Sequence, residues 1–125
     1  MQTIQLVVNG TLMRGFDLNS NLKAAGATFI KETYTAEEYR LWSIEEKYPA
    51  MQRDPVEGKA ITVEIWSIKV TELVKILLQE PPGLVFGRIN LDDNSTVFGI
   101  LGESWICKGQ REITSWGGWR EYINK

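Results

Sequence analysis

The run from Ile4 to Val8, apolar but for Gln5, stops at Asn9-Gly10 and gives way to Thr11-Leu12-Met13-Arg14-Gly15. An apolar run of that length ending in glycine reads as a buried strand closed by a tight loop. Asn19 and Ser20 have the chemistry of a helix N-cap, with Leu22, Ala24 and Ala25 opening a short helix behind them. Strand, loop and helix start in immediate succession bring several main-chain N–H groups to one point. Such a nest attracts carboxylates, phosphates and developing oxyanions. The spacing is not that of a nucleotide loop, because neither Gly-Lys-Ser/Thr nor the three-glycine dinucleotide fingerprint is present. The plain alternative is a tight turn in which Gly10 serves backbone geometry alone.

Behind this junction the chain reads mostly as strands. Gly26 stops the first helix, and Ala27 to Tyr34 is strand-like. Thr35-Ala36-Glu37-Glu38 has the form of a capping box, whereas Tyr39, Leu41 and Trp42 are good strand formers, so propensity leaves that stretch open. Lys47 to Gly58, with Pro49, Pro55 and Gly58, reads as a long loop. Ala60 to Ile68 alternates, with Ile61, Val63 and Ile65 on one face and Thr62, Glu64 and Trp66 on the other. Thr71 is placed to cap a helix carrying Leu73, Ile76 and Leu77, which Pro81-Pro82 ends. Val85 to Leu91 and Thr96 to Leu101 flank the turn signal Asp92-Asp93-Asn94-Ser95. A last helix is expected from Thr114, with Trp116, Trp119 and Ile123 on one side. Gly117-Gly118 inside it costs about 2 kcal/mol relative to alanine and points to close packing or a kink. The pattern predicts an α+β class, a small mixed or antiparallel β-barrel flanked by short helices, in one domain over residues 1–125.

Histidine is absent and Cys107 is the one cysteine. Ser-His-Asp and Cys-His catalysis in their usual form are therefore excluded, as are imidazole and thiolate zinc cages, and no metal or other cofactor is expected. Acid–base work falls to carboxylates, lysine, tyrosine or the thiol. A net charge of −2 lacks the basic footprint of a nucleic-acid binder. No apolar run approaches the roughly 20 residues of a membrane span. A lone thiol without a secretory n-region fits a cytoplasmic setting.

Two resemblances converge on these residues. Gly10 to Gly15 with Asn19 and Leu22 resembles the loop of γ-glutamyl cyclotransferase-like proteins. Thr35 to Ser43, Gly58 to Ile68 and above all Glu112-Ile113-Thr114-Ser115-Trp116-Gly117-Gly118-Trp119-Arg120 resemble the C-terminal domain of allophanate hydrolase. The two groups share one fold, so the resemblance implies a copy of that domain without the amidase portion. It also implies a glutamate acid–base residue at Glu80, and substrate-binding residues Asn9, Gly10, Thr11, Leu12 and Met13. The implied reaction is attack of the α-amine of a γ-glutamyl amine on its own γ-carbonyl, giving 5-oxoproline. The rival is a domain without turnover that holds a urea- or carbamate-like metabolite. Its partner would be a second copy of this chain or a separately encoded amidase.

The chain departs from both patterns. Asn9 stands where the cyclotransferase loop has tyrosine, Leu77 where aspartate is frequent, and Pro81 where glycine is usual. Leu12 stands where the allophanate hydrolase domain has a histidine in this loop. Glu64, beside Trp66 on a central strand, is the other candidate carboxylate, or else an ion-pair partner of Arg40 or Arg88. Trp116 and Trp119 read as core anchors, Arg120 as a tether for the C-terminal helix, and Cys107 as an inert thiol.

Overall fold

The structure, a computed structural model, describes residues 2–125. The first strand, β1 (Thr3–Val8), buries Leu6, Val7 and Val8 at the centre of the molecule. Its neighbours are β5 (Thr62–Lys69), antiparallel, and β7 (Thr96–Gly102), parallel. With β2 (Thr28–Tyr34) and β6 (Leu84–Asn90) outside them, the order is β2-β5-β1-β7-β6. The β6–β7 hairpin pairs Asn90 with Thr96, and Asn94 takes a left-handed φ of 69° in the turn, as the Asp-Asp-Asn-Ser signal requires. Both faces of β5 are covered, so the alternation of Ile61, Val63 and Ile65 with Thr62, Glu64 and Trp66 does not mark a wet face; every one of these residues is buried.

The barrel is only partly closed, as the open edges of short strands lead one to expect. The five-stranded sheet curls until its edges touch at one bridge, Thr35 against Leu91, where the Ala36 amide donates to the Asn90 carbonyl at 2.9 Å. The remaining strands form a separate sheet, β4-β3-β8, from β3 (Tyr39–Ile44), β4 (Tyr48–Arg53) and β8 (Arg111–Glu112). The class is α+β with a curled mixed sheet, as expected, and a separate three-stranded sheet beside it.

Several local readings are corrected. Lys47 to Gly58 is not a loop throughout, because β4 pairs along its length with β3. Glu45 and Glu46 form the turn with φ of 53° and 62°, a left-handed pair that normally recruits Asn-Gly. Pro49 is tolerated because β4 is an edge strand. Thr35 caps no helix: its hydroxyl accepts the Ile61 amide at 2.9 Å, and the chain proceeds into β3. The last helix is broken, with a 3-10 turn at Thr114–Trp116, Gly117 at φ 83°, and then α4 (Trp119–Ile123). Thr114 instead accepts the Leu41 amide at 2.9 Å and ties this segment to β3. Trp119 is buried as an anchor, whereas Trp116 is 44% exposed.

The helices α1 (Asn19–Ala24), α2 (Leu73–Gln79) and α3 (Ser104–Cys107) complete the chain. α1 buries Leu22. α2 buries Leu73 and Ile76, and it follows a 3-10 turn over Val70–Glu72 instead of a Thr71 cap.

Candidate functional site

The loop after β1 is held by its carbonyls. Gly10 O accepts the Met13 amide at 2.9 Å, Thr11 O accepts the Leu18 amide at 3.1 Å, and Leu12 O accepts the Asn19 side-chain amide at 2.8 Å. Asn19 therefore does not cap α1; it pins the loop from behind. The amides of Gly10, Thr11 and Leu12 donate to no acceptor among the described residues. Main-chain donors in buried surroundings are nearly always paired, so three unpaired ones in a row make this loop a candidate binding point. Asn9 is fixed beside them, its side-chain amide donating to Ile100 O at 2.9 Å. Gly10 is needed for close approach, because a Cβ there would lie 2.4 Å from Pro49 Cδ.

Those amides line a narrow hollow, with free space of only about 10 Å³, between Asn9–Leu12, Tyr48 and Pro49 of β4, Glu80, Leu84 and Ile100. Glu80 follows the last residue of α2. Its backbone is extended, at φ −83° and ψ 153°, as the following Pro81 demands. The side chain is half-buried and has no hydrogen-bond or ion-pair partner among the described residues. Burial alone pushes its carboxyl up to about 7, so near neutrality it is poised between acid and base. The Tyr48 phenol is raised by burial, then by the charges of Glu45 and Glu80. Of the residues expected to bind substrate, Asn9, Gly10, Thr11 and Leu12 come together with Glu80. Met13 does not line the hollow and is buried in the main core. Sequence reasoning missed Tyr48 and Pro49 because the segment read as loop, and Leu84 and Ile100 because they come from a distant hairpin.

Glu64 lies elsewhere. It is fully buried beneath the far end of the same loop. Its oxygens accept the Arg14 main-chain amide at 3.0 Å, Arg14 Nε at 3.1 Å and Trp66 Nε1 at 3.1 Å, and pair with the Arg120 guanidinium at 3.4 Å. The expected partners Arg40 and Arg88 are not used; Arg40 pairs with Glu112 and Asp54. Arg120 also donates to Arg14 O and to Glu32, so it tethers α4 to the loop. Cys107 is buried in a small cluster with Ile44, Ala50 and Ile106, where burial pushes its thiol up, away from reactivity. Among the described residues no group of three acidic or cysteine side chains is arranged to hold a metal. None of the described helices is long and apolar enough to cross a membrane.

The curled mixed sheet flanked by short helices is a γ-glutamyl-cyclotransferase-like fold. A solved γ-glutamyl cyclotransferase superposes on 89% of this chain and 70% of its own with a TM-score of 0.56, at 10% identity, which is a likeness of fold alone. The allophanate hydrolase C-terminal domain pattern matches residues 4–124, and the chain belongs to that family. The crystal structure of a uropathogenic E. coli-specific protein is 47% identical, with a TM-score of 0.98 over 99% of this chain and 98% of that one. Kluyveromyces lactis allophanate hydrolase matches at 23% identity and a TM-score of 0.93, over 99% of this chain but 21% of that one. The urea amidolyase of Lachancea kluyveri is 25% identical over 129 residues, covering 98% of this chain. The chain spans about 7% of the length of that curated relative, in which the equivalent domain is one part of a larger enzyme.

Proposed function

We propose that this domain holds the carboxylate or carbamate head of a small amide metabolite at the Gly10–Leu12 amides, and that Glu80 gives and takes a proton at the neighbouring nitrogen. The observation that carries this reading is the meeting, in one hollow, of three free main-chain donors and a free carboxyl raised to about 7. The reaction such an arrangement supports is cyclisation of a γ-glutamyl amine. The α-amine attacks the γ-carbonyl while the amides hold the substrate carboxylate and so fix the reacting groups in register. Glu80 accepts the proton of the attacking nitrogen and returns it to the leaving nitrogen as the C–N bond breaks. Confinement of both reacting groups supplies further rate. The proposed setting is the cytoplasm.

Family membership and the size of the hollow favour a second reading. Its free space of about 10 Å³ is far below the roughly 300–1,000 Å³ usual for sites of drug-sized ligands, which favours the smallest occupant, a urea-derived carbamate, over a γ-glutamyl amine. In this reading the domain holds such a metabolite without turnover and serves a separately encoded amidase or a second copy of the chain.

One screen separates the two. γ-Glutamyl amines, allophanate and carbamate are offered to wild type and to Glu80→Gln. Turnover in wild type that falls about 10²–10⁴-fold in the variant supports the acid–base role. Binding without turnover in either protein moves the domain to the accessory class, and turnover undiminished in the variant removes Glu80 from the mechanism.

A further inference from the structure

Beside the hollow lies a second, more open groove of about 330 Å³, whose apolar lining comes from Ile44, Tyr48, Pro82, Trp105 and Ile106. Tyr48 lines both depressions, and Pro82 lies two positions after Glu80. The Tyr48 hydroxyl has no hydrogen-bond partner among the described residues. Trp105 is 59% exposed, whereas Trp66 and Trp119 are 3% and 2% exposed. Its ring is nonetheless held in place. The indole N–H donates to Glu103 at 3.1 Å, and the ring edge lies against Gly83, where a Cβ would meet Trp105 Cζ2 at 3.1 Å. A fixed, exposed aromatic face beside a binding hollow is a stacking platform. Glu45 and Lys108 also line the groove, so their charges offset and a neutral occupant is favoured.

We propose that this groove is a second subsite of the same site, and that the ligand held at Gly10–Leu12 carries a neutral apolar or aromatic substituent on its amide nitrogen, packed between Tyr48 and Trp105. This rests on the reading of the hollow given above. A bare carbamate leaves the groove empty, whereas an N-substituted amide fills both depressions across the Tyr48 wall. The substrate class is therefore an N-aryl or N-alkyl amide with an anionic head, and Trp105 sets the preference for its tail.

The test is an NMR titration of the whole chain with two probes, malonamate and N-phenylmalonamate, which share the carboxylate and the amide and differ by one ring. The expected result is that both probes shift the Gly10, Thr11 and Leu12 amides. Only the phenyl compound should also shift the Trp105 indole N–H, and it should bind about tenfold more tightly. Trp105→Ala should bring the ratio between the probes close to one, and Trp105→Phe, which keeps a ring, should restore most of it. Loop amides that respond equally to both probes with a silent Trp105 indole overturn the subsite alone. Loop amides silent to both probes overturn the anion-holding reading and the subsite with it. A Trp105 response without a loop response separates the groove from the hollow and also overturns the proposal.

Discussion

The two ends of the loop after β1 hold two glutamates in opposite states. At the far end Glu64 is fully buried and accepts from Arg14, Trp66 and Arg120. At the near end Glu80 is half-buried and, among the described residues, meets no donor, while the amides of Gly10, Thr11 and Leu12 beside it meet no acceptor. A buried carboxylate with all its partners is a structural clamp, and removing it leaves its neighbours uncompensated. A raised, unpartnered carboxyl facing free donors contributes no such fixation and is suited to an incoming ligand. Partner count, more than charge or burial alone, separates the carboxylate that holds the fold from the one proposed for chemistry.

The contrast is broken most directly at Glu64. Glu64→Ala is expected to lower stability by about 3 kcal/mol, read as a fall in the denaturation midpoint, because two guanidinium groups and an indole N–H lose their acceptor. A loss under about 1 kcal/mol would show that the clamp is decorative. Gly10→Ala comes next. Its Cβ meets the Pro49 ring, so the loop and β4 must separate at a cost of about 2 kcal/mol. A thermal melt with unchanged midpoint would show that the hollow has slack.

The third test sharpens the contrast through pH. The Glu80 carboxyl is raised in the folded chain to about 7. Between the unfolded value near 4.3 and the folded value, the native state therefore binds more proton than the unfolded one, and stability falls as pH rises. The full stabilisation is present below about pH 4 and gone above about pH 7.5. The burial is partial, so the loss is on the order of 1–2 kcal/mol, and Glu80→Gln should abolish that slope. Melting temperatures of the two proteins from pH 4.5 to 8 decide it, and parallel curves refute the assignment. The smallest effect is expected from Arg14→Ala, about 1 kcal/mol, because Arg14 is half-exposed and Glu64 keeps the Arg14 main-chain amide, Trp66 and Arg120. A loss as large as that of Glu64→Ala would mean the clamp depends on a single arm.

The parts legible in the sequence are those whose signals are local. β1, the β6–β7 hairpin and the loop at Gly10 follow from apolar runs and turn residues that lie side by side. The placement of Glu80 after a helix stopped by prolines is local too. The β3–β4 hairpin was opaque because two glutamates occupy its left-handed turn positions and Pro49 sits in its edge strand, both against ordinary preference. With β4 hidden, the Tyr48 and Pro49 wall of the hollow was hidden as well. The clamp was opaque for another reason. Arg14 and Arg120 stand 50 and 56 positions from Glu64, and nothing in the spacing of a chain ranks one arginine over another across such a gap.

Pro81 confines Glu80 to an extended backbone through its own covalent ring, so the acid reaches the hollow without help from the outer surface of the preceding helix. Val74 and Leu78 on that surface are exposed. Evolution is thus free to redecorate the outside of α2 for solubility or for contact with other proteins while the acid keeps its aim.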